Sequence, residues 1–104
     1  MLINLKEEKQ FEEILSENKI VVADFNAKWC GPCRMFMPVF DKVAENTADI
    51  AFVPVDVDDF NRLAAQYHIT SVPTIILFKN GEVFKIASGF MPESSFIGFI
   101  NQAR

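Results

Sequence analysis

The sequence predicts an α/β domain, a central mixed sheet with helices on both faces in a three-layer α/β/α arrangement. Three observations carry that expectation. Short β-branched apolar runs alternate with segments of helical periodicity, which is the pattern of strands covered on both sides. Asn80-Gly81 sits between two strand-like runs and marks a tight hairpin, so at least one strand pair is antiparallel. The chain of 104 residues, half of them apolar and 11 of them Phe, suits one core and one domain spanning residues 1–104.

Leu2-Ile3-Asn4-Leu5 reads as a short opening strand. Leu5, Phe11, Ile14 and Leu15 then recur among Glu7, Glu8, Glu12 and Glu13, predicting an amphipathic helix from about Lys6 to Ser16. Ile20 to Phe25 is a buried strand broken by a single acid, Asp24. A helix from Pro32 to Glu45 follows, with Pro32 in the first turn, where its missing N–H costs nothing. Pro38 inside it predicts a kink. Ala51 to Val57 is the next strand despite Pro54, and Asp58-Asp59 lead into a short helix near Phe60 to Gln66. Tyr67 to Pro73 is a loop, Thr74–Lys79 and Glu82–Ala87 are the hairpin strands, and Pro92 to about Gln102 is the last helix. The expected order is β-α-β-α-β-α-β-β-α.

Composition narrows the function. The net charge of −4 gives no basic surface for a phosphate backbone, so a nucleic-acid function is not expected. No apolar stretch approaches the roughly 20 residues a membrane helix needs. The start turns charged too soon for an export segment, so a cytoplasmic location is expected for an unprocessed chain. Two cysteines do not make a disulfide framework, and a bridge across two residues would constrain the unfolded chain little. A zinc site would want four ligands, and only His68 adds to the pair, so no metal or other cofactor is expected.

The chemistry therefore rests on Trp29-Cys30-Gly31-Pro32-Cys33, placed between a strand and a helix. Free backbone N–H groups and the aligned peptide dipoles there stabilise a thiolate, a general property of such pairs. Gly31 is expected to permit the tight entry and to keep bulk away from an incoming disulfide, and Pro32 to stiffen the loop. Lys28 and Arg34 add favourable charge, weakened by solvent screening. The asymmetry of the pair supplies a mechanism. Cys30 attacks a substrate disulfide, and Cys33, one turn in, attacks Cys30 and releases the reduced substrate.

This string resembles the thioredoxin family. Asp24-Phe25 upstream, Ser71-Val72-Pro73-Thr74, Lys79-Asn80-Gly81-Glu82 and Gly89 extend the likeness over essentially the whole chain. The resemblance implies a cis peptide bond before Pro73, and reduction by a flavoprotein thioredoxin reductase drawing on NADPH. It implies general reduction of disulfides in target proteins, and it places Asp24 behind Cys33 as the group that assists proton transfer, directly or through water. From the residues alone Pro73 reads better as an ordinary loop proline than as part of the site. With the resemblance, the Val72 backbone becomes a docking edge for an extended substrate. Trp29, Val72, Gly89 and Phe90 make a candidate apolar recognition surface, although Trp29 reads as well as core packing. His68 reads as a solvent-facing loop residue.

Three positions depart from the usual family pattern. Asn26 stands where a Trp is common, Pro54 stands where many members carry a Lys beside the buried acid, and Phe90-Met91-Pro92 alters the segment after Gly89. Without that Lys, the carboxyl of Asp24 is expected to hold its proton more tightly. Two other functions fit the same fold. One is a thiol oxidase or disulfide isomerase with a more oxidising pair, and the other is a redox-dependent binding subunit. Nothing obliges a dimer, and a monomer is expected.

Overall fold

The computed structural model describes residues 1–104. The elements are α1 (Gln10–Glu17), β1 (Ile20–Asn26), α2 (Gly31–Glu45), β2 (Ala51–Asp56), α3 (Asn61–Gln66), β3 (Thr74–Lys79), β4 (Glu82–Ser88) and α4 (Glu93–Asn101). One sheet runs in the order β2-β1-β3-β4. β1 is parallel to β2 and antiparallel to β3, and β3 and β4 form the antiparallel hairpin. The mixed sheet follows as expected from Asn80-Gly81, whose φ values of 54° and 83° suit the tight hairpin turn.

Alternation along the buried strands sorts the core into two layers. Ile20, Val22, Ile75 and Leu77 pack with Phe36 and Phe40 of α2 and with Phe96 and Ile100 of α4. Val21, Ala23, Phe25, Ile76 and Phe78 pack on the opposite face with Phe11 and Ile14 of α1 and Leu63 of α3. Phe36, Phe40, Phe52 and Phe96 meet largely edge to face, at centroid separations of 5.0–6.1 Å, an arrangement that suits ring quadrupoles. Two helices on each face complete the three layers.

Several boundaries differ from the sequence reading. The opening strand shrinks to a single parallel bridge, Leu2 to Phe52, because only Met1 O and Ile3 N reach the β2 backbone. The first helix begins at Gln10 rather than Lys6. The Gln10 carboxamide accepts from the N–H groups of Lys6 and Glu7, which holds those residues in a turn before the helix. Pro38 lies within α2 without ending it. Pro54 is tolerated because Phe52 turns both its N–H and C=O outward, toward Met1 and Ile3. Pro54, two residues on, faces the same outer side, where a parallel ladder to β1 needs no donor.

β4 is the uncovered edge, and Val83, Phe84 and Ile86 on it are exposed. The ammonium groups of Lys79 and Lys85 lie 5.6 and 6.0 Å from the Phe84 ring centroid. Charge beside an apolar edge, together with the register shift at Leu77/Phe78, discourages strand addition there.

Candidate active site

The site forms where β1 gives way to α2. Cys30 has extended backbone and caps the helix, so its Sγ receives the N–H of Cys33 at 3.2 Å and its carbonyl receives the N–H of Arg34. Pro32 occupies the first turn. Cys30 and Cys33 are joined in a disulfide, with Cα atoms 5.2 Å apart. Cys30 is 6% exposed and Cys33 2%, so the first cysteine is the more accessible. In the reduced state the Cys33 N–H and the helix N-terminus face the sulfur that must carry negative charge. The tight entry expected of Gly31 is not what the structure requires. Its backbone needs no left-handed φ, and an added Cβ would meet nothing within 4 Å, so entry into the helix does not demand glycine.

The peptide bond between Val72 and Pro73 is cis. Cys30 Sγ lies 3.6 Å from the Val72 carbonyl oxygen, so this loop borders the disulfide. The Gly89 N–H donates to the Pro73 carbonyl at 2.9 Å, tying the end of β4 to the same loop. Gly89 has φ 90°, a conformation few other residues adopt. Phe90 follows, partly exposed, with its ring set edge-on to the buried Phe36 ring at 6.3 Å.

Trp29 is 70% exposed, which decides between the two readings of this residue in favour of the surface. Its indole N–H donates to Asp58 at 3.1 Å. The Lys28 ammonium is paired with two carboxylates. It bridges Asp56 at 2.8 Å and Asp59 at 3.1 Å. Hydrogen bonds to these two carboxylates raise its pKa. Asp56 also accepts the N–H groups of Asp58 and Asp59. Burial pushes its carboxyl up, but Lys28 and the two backbone donors outweigh that and hold it below the usual range. Arg34 donates to the Lys28 carbonyl at 2.8 Å, closing the loop onto α2. The acidic loop was the part of the site that sequence reasoning missed. By its sequence Asp58-Asp59 reads only as a helix start, and the signal that could have found the loop is the run of acids Asp56, Asp58 and Asp59 that meets Lys28 and Trp29. His68 is exposed with φ 55°, a loop residue as expected.

Asp24 is wholly buried, and neither carboxyl oxygen has a hydrogen-bond partner. It shares a strand face with Val22, the face that packs against α2. Loss of water raises its pKa to about 7, and the negative charge of Asp41 on α2 adds to the rise. Its register partner on β2 is Pro54, which supplies no charge. Asn26, also buried, donates its amide to the Asp24 carbonyl at 2.9 Å. A reactive disulfide at a helix N-terminus, bordered by a cis-proline loop and accompanied by a buried acid of near-neutral pKa, is suited to thiol–disulfide exchange.

The family model described as Thioredoxin matches residues 2–102. The thioredoxin of Mycoplasma genitalium is 48% identical over 101 residues, covering 97% of this chain and 99% of that one. The thioredoxin of Mycoplasma pneumoniae is 41% identical, covering 98% and 100%. Among solved structures, a mutant thioredoxin from Halobacterium salinarum superposes with a TM-score of 0.91 at 35% identity, covering 98% of this chain and 89% of that one.

Proposed function

The chain belongs to the thioredoxin family, and we propose that within it this protein works as a general reductant of protein disulfides in the cytoplasm. Dithiol–disulfide exchange through Cys30 and Cys33 is its chemistry. The observation that carries the assignment of Cys30 as the attacking sulfur is the placement of its Sγ on the Cys33 N–H at the start of α2; the reductant direction is supported by the family. A thiolate favoured there makes the reduced protein a ready attacking species.

In the proposed cycle the Cys30 thiolate attacks one sulfur of a target disulfide. A bond forms between Cys30 and that sulfur, and the other target sulfur leaves as a thiolate and takes a proton from water. Cys33 then gives up its proton, with Asp24 as the acceptor, and attacks Cys30. The Cys30–Cys33 bond forms, the bond to the target breaks, and the second target thiol is released. Two electrons have passed to the target, and the protein is left oxidised. A flavoprotein thioredoxin reductase drawing on NADPH would restore the dithiol. Trp29, Val72, Pro73, Gly89 and Phe90 are proposed to receive the substrate, with the Val72 backbone as an edge for an extended segment. A reductant whose two thiols lie in one chain needs no second subunit, and we take the working form as the monomer.

The test is turnover of a protein disulfide with NADPH and a thioredoxin reductase. Wild type should catalyse it and Cys30→Ser should not. A Cys33→Ser variant should instead accumulate a one-to-one mixed disulfide through Cys30. Turnover that survives Cys30→Ser would refute the assignment.

A further inference from the structure

Asn26 touches the neighbourhood of both groups that must exchange a proton in that cycle, lining a groove with Cys33 and bonding the Asp24 backbone. A surface groove of about 250 Å³ is lined by Asn26, Ala27, Lys28, Cys33, Arg34 and Met37. A neighbouring groove of about 300 Å³ shares Asn26, Lys28 and Met37 and continues to Pro54 and Asp56. The shared residues join the two into one trench, running from Cys33 along β1 to the outer strand. Asp24 itself lines neither groove, but its neighbours on that face, Asn26 and Pro54, do. It is two residues from Asn26 on the same strand face and opposite Pro54 in the ladder. Its carboxyl oxygens have no partner in the protein. Asn26 is 8% exposed, and its amide is fixed to the Asp24 carbonyl, so the small side chain is held against the trench wall.

A buried carboxyl without a hydrogen-bonded relay can exchange protons only through a path that water can enter. We propose that Asn26 is a positioning residue that keeps this trench open, and that the proton passes between Cys33 and Asp24, and from Asp24 to bulk water, along it. This rests on the exchange reaction assigned above. A large apolar side chain at position 26 would fill the trench, remove water from the Asp24 flank and leave both cysteines in place.

The experiment compares wild type with Asn26→Trp, Asn26→Leu and Asn26→Ser. One readout needs no turnover: the Asp24 carboxyl is followed by carbon-13 NMR against pH in the oxidised protein. The other separates the two chemical steps. Formation of a mixed disulfide with a small aromatic disulfide is timed in the Cys33→Ser background, and its release by Cys33 is timed in the single variants. The Trp and Leu variants should titrate Asp24 at higher pH than wild type. Their release step should be slower by about fivefold near neutrality, as the smaller ionised fraction of a base raised by one pH unit implies, while the formation step stays within about twofold. Asn26→Ser, small and polar, should match wild type in both. If Asn26→Trp fails to fold, Asn26→Leu carries the comparison. An unmoved Asp24 titration in a folded Leu or Trp variant would overturn the proposal, as would equal slowing of both steps. Absence of exchange in wild type would instead defeat the functional assignment and leave the titration result standing.

Discussion

Asp24 and Pro54 are register partners across the parallel β1–β2 pair, a buried carboxyl set opposite a residue that has neither charge nor donor. Both lie on the sheet face covered by α2, with Asp41 as the charged group facing Asp24 from that helix. Desolvation is therefore opposed by nothing, and the carboxyl titrates at about 7. This pairing gives the site a base that is half ionised near neutral pH.

Pro54→Lys should place an ammonium beside that carboxyl. The expected result is a fall in the Asp24 titration by about one pH unit or more, read by carboxyl NMR. A titration that stays at about 7 in the folded variant would show that the missing cation is not what sets it.

The same burial makes stability depend on pH. Between the ordinary value of 3.8 and about 7, native Asp24 binds a proton that the unfolded chain has lost. Asp24 therefore lowers stability as pH rises through that window, and its effect is level beyond it. The full penalty has an upper bound of about 4 kcal/mol, at about 1.4 kcal/mol for each pH unit. Asp24→Asn should be more stable than wild type at pH 8, by less than that bound because its amide is also unpartnered, and equal or less stable at pH 4. Urea unfolding at the two values measures it. An advantage that is the same at both would contradict the assignment of the burial cost to ionisation.

Lys28 joins Asp56 and Asp59 beside the active-site loop. Lys28→Met should let burial act on Asp56 with less opposition, so its carboxyl should titrate above its wild-type position. Because the ammonium is exposed, high salt should shrink the difference between the two proteins. NMR titration of Asp56 at low and high salt would show both effects, and an Asp56 unchanged by the substitution would contradict them.

Phe90 rests edge-on against Phe36 and exposes part of its ring beside Gly89. Phe90→Ala should raise KM for a protein disulfide about threefold to tenfold while kcat changes little, the signature of lost docking rather than lost chemistry. A fall in kcat at constant KM would move Phe90 out of the recognition surface.

Much of this site is visible in the order of residues. Strands buried on both faces announce themselves as β-branched runs, and the single acid in one of them marks Asp24. Asn80-Gly81 specifies its own turn, and Trp29 to Cys33 sits where a strand meets a helix. What was hidden depends on contacts between distant segments. Leu2 to Leu5 has strand composition, yet only one bridge forms, because pairing depends on backbone partners that composition does not reveal. The side chain of Gln10 delays the first helix by folding back on Lys6 and Glu7. Trp29 could have filled the core, and Asp58, which accepts its indole N–H, lies 29 residues away. The joined grooves beside Asn26 need β1, β2 and α2 assembled before they exist.

The most direct test of the reductant assignment is the reduction potential of Cys30/Cys33, measured in glutathione redox buffers by thiol trapping or Trp29 fluorescence. The account predicts a potential below the cytosolic glutathione poise of roughly −220 to −260 mV, so that the dithiol can pass electrons to target disulfides there. A markedly more oxidising potential would contradict it, assigning the pair to disulfide formation or isomerisation and removing the case for the cytoplasm.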